Sequence, residues 1–112
     1  MVGPLRRFDI VLVALDPTVG SEITKTRPCL VVSPDEMNRH IRTMIVAPMT
    51  TASRPYPSRV PIRFRRRNGQ VALDQLRAID RSRVVKRLGA AETETGAAVA
   101  AVLVEMFAYD HA

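Results

Sequence analysis

Val60-Pro61-Ile62-Arg63-Phe64-Arg65-Arg66-Arg67-Asn68-Gly69-Gln70-Val71-Ala72-Leu73-Asp74 is the stretch whose reading decides the fold. From Val60 to Phe64 apolar residues alternate with others, the period of a strand with one face buried. Pro61 has no amide hydrogen to give to a ladder, which suits an edge strand. Asn68-Gly69 is the strongest hairpin signal in the chain, since both residues accept the left-handed backbone of a tight two-residue turn. The stretch therefore predicts a β-hairpin turning at Asn68-Gly69.

Working outward, the chain supplies more strands than helices. Phe8 to Leu15 is a β-branched-rich run, closed by turn residues at Asp16-Pro17-Thr18-Val19-Gly20-Ser21. Leu30-Val31-Val32 and Thr43 to Ala47 are apolar runs of strand length, as are Leu76 to Ile79 and Val84 to Leu88. Ser33 to Asn38 reads as a loop with one helical turn, Pro34 standing at its start. Many short strands at close spacing predict a mainly β fold, a small barrel or curled sheet. From about Thr93 to Tyr109 the pattern changes, with Val99, Val102, Leu103 and Met106 falling on one face of a C-terminal α-helix.

The 112 residues provide for one hydrophobic core, so 1–112 is expected to be a single domain. No apolar run approaches the length of a membrane-spanning helix, and no signal-peptide stretch follows Arg6-Arg7, so a cytoplasmic protein is expected, with no membrane partner. Cys29 stands alone in an apolar run and is expected in the core. The charge is lopsided. All 17 Lys and Arg fall in residues 1–90 with seven acids, a balance of +10, while 91–112 carry four acids and no Lys or Arg. Fifteen of the 17 cations are Arg, whose planar fork suits phosphate or carboxylate, so the expected partner is a polyanion or an acidic protein segment.

Four pieces of the chain, in order and at fitting distances, carry a resemblance. They are Asp16 to Glu22 with Arg27-Pro28-Cys29-Leu30-Val31-Val32-Ser33-Pro34 following; Asn38-Arg39; Val46-Ala47-Pro48-Met49-Thr50-Thr51 with Tyr56-Pro57; and Leu73-Asp74-Gln75-Leu76-Arg77-Ala78-Ile79-Asp80. Together they resemble the MazF/PemK/Kid toxin family. The resemblance implies an SH3-like curled barrel of the CcdB/PemK kind with a C-terminal helix, assembled as a homodimer. It implies cleavage of single-stranded RNA, chiefly mRNA, at a short sequence, and neutralisation by a cognate MazE-like antitoxin. DNA would be contacted only through the toxin–antitoxin complex. Departures are Phe8, where the family usually has Gly before the acidic residue of its first strand, Ser21 where some relatives carry His, and Ala72 where some carry Arg.

The resemblance places the main catalytic group at Arg27, with Thr50 as the catalytic threonine and Glu22 as an acid important for activity. Asp74 and Gln75 match a region lining the RNA groove, and Ser21, Thr51 and Tyr56 complete the expected RNA-binding set. Cutting RNA without a metal uses the neighbouring 2′-hydroxyl as nucleophile and leaves a 2′,3′-cyclic phosphate and a 5′-hydroxyl. Arg27 is a permanent cation able to grip phosphate oxygens, though ill suited to giving up its proton. Glu22 could position Arg27 or accept a proton. Thr51, adjacent to Thr50 on an extended strand, should face the other way. Tyr56 offers a ring for base stacking, while Phe64 and Phe107 are expected in the core. The arginines at 63, 65, 66 and 67 read equally as a phosphate track or as a solvated hairpin tip. His40 and His111 read as exposed bystanders. No metal site and no cofactor are expected, the acids being scattered and zinc-type His/Cys spacing absent. Two other readings stay open at this point: a gyrase-poisoning toxin of the CcdB kind, disfavoured by the lack of any Trp, and a non-catalytic nucleic-acid-binding barrel.

Overall fold

In the computed structural model, which describes residues 4–109, the strands are β1 (Asp9–Ala14), β2 (Thr26–Val31), β3 (Thr43–Thr50), β4 (Arg59–Phe64), β5 (Arg67–Ala72), β6 (Arg77–Asp80) and β7 (Val84–Ala90). Helix α1 (Asp35–His40) follows β2, and α2 (Thr93–Phe107) closes the chain. All seven strands join one sheet in the order β4-β5-β3-β2-β1-β7, with β6 also on β3. His111 lies outside the described residues.

β3 is the hub. Its first half pairs with β6, its middle with β2 and its last two residues, Met49 and Thr50, with Val71 and Gln70 of β5. Alternate residues of the central strands go to two clusters, because successive side chains of a strand point to opposite faces. Val11, Val13, Cys29, Val31, Met44 and Val46 fill one. Ile10, Leu30, Ala47 and Met49 fill the other, with Val60, Ile62 and Val71 from the hairpin and Val99 from α2. A sheet buried on both faces explains why these strands read as continuous apolar runs rather than as alternation.

The hairpin forms, with Pro61 on the edge strand β4, but its turn is not at Asn68-Gly69. Phe64 pairs with Arg67, so the two-residue turn is Arg65-Arg66, both left-handed at φ 51° and 65°. Asn68 and Gly69 lie inside β5, opposite Arg63 and Ile62. Packing decides the register. As folded, Val60 faces Val71; a turn at Asn68-Gly69 would slide Val60 opposite Arg77 and Ile62 opposite Gln75. Gly69 is needed where it stands, since a Cβ there would lie 2.6 Å from the Thr50 carbonyl oxygen.

Helix α2 buries Gly96 and Val99 and half-buries Val102 and Leu103. Phe107 is a correction: it is 70% exposed, at the end of the helix beyond the sheet's cover, whereas Phe64 is partly buried in the second cluster. Phe8 explains its own departure from the family pattern. Its backbone is left-handed at φ 70°, the conformation glycine adopts without steric cost. Its ring lies over Gly96, where a Cβ would come within 2.6 Å. Among the described residues no helix is long and apolar enough to cross a membrane.

Candidate active site

Cys29 of β2 pairs with Pro48 of β3. Arg27 and Thr50 each lie two residues further along, toward the same end of these antiparallel neighbours, so alternation puts both on the face of that pair. The Thr50 hydroxyl oxygen accepts the Ala52 amide at 3.1 Å. That bond fixes the oxygen and leaves its proton to donate outward. Arg27 is partly buried, its Nε donating to the Thr24 carbonyl at 2.9 Å, and it enters no ion pair among the described residues. Cys29 is not a competing nucleophile: burial pushes its thiol up to about 12, against the smaller opposing pull of Arg27 and Arg77.

The loop from Leu15 to Lys25 overhangs this end of the sheet. Asp16 accepts the Lys25 amide at 3.1 Å, and Gln75 Oε1 accepts the Ile23 amide at 2.7 Å, tying the loop to the turn after β5. Glu22 closes a local turn by accepting the Val19 amide at 2.5 Å and forms no ion pair with Arg27. Of the two roles open to Glu22, positioning Arg27 is therefore not the one seen.

Opposite the loop, Arg59 at the start of β4 forks onto Asp74, Nε to Oδ1 at 2.6 Å and Nη2 to Oδ2 at 3.1 Å. Ser58 adds its hydroxyl to Oδ1 at 3.0 Å. The Arg59 guanidinium holds the Asp74 carboxyl below the usual range, and Asp74 in turn raises Arg59. The same guanidinium lies 5.2 Å from the centre of the Tyr56 ring.

These groups border two cavities that share Ser21, Ile23, Asp74 and Gln75. One, of about 390 Å³, adds Thr50, Ala52, Arg54, Tyr56 and Arg59; the other, of about 370 Å³, adds Glu22, Pro48, Leu76 and Arg77. Ser21, Thr50, Tyr56, Asp74 and Gln75 are thus brought to one cavity and Glu22 to its neighbour. Arg27 stands at the strand end beside Thr50 rather than in either lining. Thr51 lines a smaller, mostly apolar cavity of about 140 Å³ with Pro28, Ile62, Phe64 and Arg67, a cavity that Thr50 also borders, and it lies in neither of the two polar ones. His40 is exposed and only meets the Glu36 carbonyl of its own helix. No group of three or more His, Cys, Asp or Glu side chains converges among the described residues.

Three arginines of the lining had no role in the sequence reading: Arg54, Arg59 and Arg77. Arg77 lay inside the quoted Leu73–Asp80 block and Arg54 beside Tyr56. Nothing in sequence ties Arg59 to Asp74 until the hairpin register sets Arg59 opposite Ala72.

The Escherichia coli K12 endoribonuclease toxin MazF is 37% identical over 71 residues, 63% of this chain and 64% of that protein, so the match spans just under two thirds of the relative. Among solved structures, MazF from Deinococcus radiodurans superposes with a TM-score of 0.82 at 28% identity, covering 94% of this chain and 97% of that one. MazF in a MazE–MazF structure from the same organism gives 0.78 at 27% identity, covering 96% and 98%. Residues 6–107 match the family described as PemK-like, MazF-like toxins of type II toxin–antitoxin systems, and the chain belongs to that family.

Proposed function

We propose that this protein is an endoribonuclease toxin that cleaves single-stranded RNA without a metal ion. The observation that carries the reading is Arg27, a partly buried cation without an acidic partner among the described residues, at the strand end that register sets across from Thr50, whose hydroxyl oxygen accepts the Ala52 amide. Such a pair can bind the scissile phosphate and stabilise the charge that grows on its oxygens during displacement. The RNA 2′-oxygen attacks phosphorus, the bond to the 5′-oxygen breaks, and a 2′,3′-cyclic phosphate and a 5′-hydroxyl result. Glu22 is the acceptor for the 2′ proton, being an exposed carboxylate without a cation. Asp74 is not, since Arg59 holds it ionised and occupied. The proton reaching the 5′-oxygen comes from solvent or from the acid so formed.

Two further parts of the reading are a homodimer, which the resemblance implies, and inhibition by an antitoxin, which the family description and the MazE–MazF neighbour support, through an acidic segment attracted to the +10 balance of residues 1–90. Val104 and Phe107, 71% and 70% exposed on α2, leave apolar surface for a partner to cover. The gyrase-poisoning alternative drew on a shared fold and loses its ground with the family. A non-catalytic barrel would leave Arg27 without a task. Incubating the purified protein with single-stranded RNA in EDTA tests the proposal: cleavage should proceed undiminished. Activity that EDTA abolishes and a divalent ion restores would overturn it.

A further inference from the structure

We propose that the cavity bounded by Tyr56, Arg59, Asp74 and Gln75 selects a keto base, uracil or guanine, next to the cut site, and that Arg59 sets this choice. The inference rests on the ribonuclease reading and adds the class of base that one part of the site accepts. Hydrogen-bond accounting carries it. A carboxylate offers about four lone-pair positions. Three of those on Asp74 are filled, by Ser58 Oγ and Arg59 Nε on Oδ1 and by Arg59 Nη2 on Oδ2. The Gln75 oxygen is turned to the Ile23 amide, which leaves its NH₂ group to face a ligand. The Thr50 oxygen is held by the Ala52 amide, leaving a proton to donate. A lone pair remains on each of Asp74, Gln75 and Thr50, but the unused N–H groups of Arg54, Arg59 and Gln75 together with the Thr50 hydroxyl make donors the majority in this lining.

A site rich in donors favours base edges that present acceptors. On the edge that faces the major groove in a duplex, guanine offers O6 and N7, and uracil offers O4 where cytosine has an amino donor; adenine there pairs one acceptor with an amino donor. Tyr56 supplies the stacking face. Its ring lies against Arg59, and the residue is 49% exposed, so a base can stack there. The cavity, about 390 Å³, has room for a base.

The test uses a single-stranded RNA library randomised around the cleavage site, with end-sequencing of the products and a direct binding measurement on RNA blocked by a 2′-deoxy residue at the cut. The wild-type protein should favour U or G over C and A at one flanking position by roughly tenfold or more. Arg59→Met frees the Asp74 oxygens and should move the preference toward C or A. Gln75→Glu keeps one oxygen for the Ile23 amide and turns the remaining donor into an acceptor, and should move it the same way. It decides the matter if Arg59→Met fails to fold, as judged by melting. Preference for C or A in the wild type, no base preference at either flanking position, or an unshifted preference in a variant that melts normally would overturn the inference alone. Absence of any cleavage would overturn the ribonuclease reading and this inference with it.

Discussion

Two arginines face the same end of this sheet and are used in opposite ways. Arg59 is spent within the protein: its fork is filled by Asp74 and its plane lies against Tyr56, so its charge is matched and its position fixed. Arg27 is tethered by one bond from Nε to a backbone carbonyl and has no acidic partner among the described residues. A paired cation gives shape, while an unpaired, partly buried one keeps charge in reserve for an anion. Electrostatic catalysis needs the second kind, because a group already neutralised in the free enzyme has little left for the transition state.

The contrast breaks most sharply on mutation. Arg27→Ala should lower the cleavage rate by roughly 10²–10³ while melting like the wild type, and Thr50→Ala should fall in the same range. Thr51→Ala should be milder, since Thr51 lines neither of the two polar cavities. Single-turnover kinetics on one RNA read all three, and an Arg27→Ala protein at full rate would break the comparison. Next in size is Gly69→Ala. The added Cβ meets backbone at 2.6 Å, so β3 or β5 must shift, at a cost of about 1–3 kcal/mol in stability, with Thr50 displaced and the rate lowered together. Denaturant melts beside rate measurements check this.

Arg59 sharpens the comparison through pH. Its bonds to Asp74 lower the carboxyl's value in the folded state, so the stability they contribute is present above the ordinary aspartate value and is lost as pH falls through the lowered one. Below about pH 4 the wild type should lose about 1 kcal/mol that Asp74→Asn lacks throughout, the pair being partly solvent-screened. Melting curves from pH 2 to 7 on both proteins show it. The smallest effect concerns Phe8. Gly96→Ala should destabilise the wild type, because the new Cβ meets the Phe8 ring, yet stabilise a Phe8→Gly protein by about 1 kcal/mol through helix propensity. A double-mutant cycle reads the change of sign.

Much of this was legible in the sequence, for reasons that differ between regions. Strands and the C-terminal helix follow from apolar periodicity, and Pro61 announced its edge. The hairpin was legible but not its turn. Asn68-Gly69 has the local chemistry of a turn, yet the pairing of Val60 with Val71 and the close approach of Gly69 to Thr50 outweigh the left-handed strain at Arg65 and Arg66. Within the site, Ser21, Thr50, Tyr56, Asp74 and Gln75 line one cavity, whereas Arg27, Glu22 and Thr51 do not. Arg59 stayed hidden because its partner lies 15 residues away across a hairpin, a contact created by register and not by spacing. Phe107 was misread because helical periodicity gives the face of a residue but not where the sheet beneath it ends.

Arg27 and Thr50, on this reading, act on a phosphate from which the RNA's own 2′-oxygen displaces the 5′-oxygen. Analysis of the product ends is the most direct test. RNA cut by the purified protein in EDTA should carry 2′,3′-cyclic phosphate on the upstream fragment and 5′-hydroxyl on the downstream one, with Arg27→Ala giving the same ends at a much lower rate. A 3′-hydroxyl with a 5′-phosphate would mean that water attacked instead, and would contradict the account.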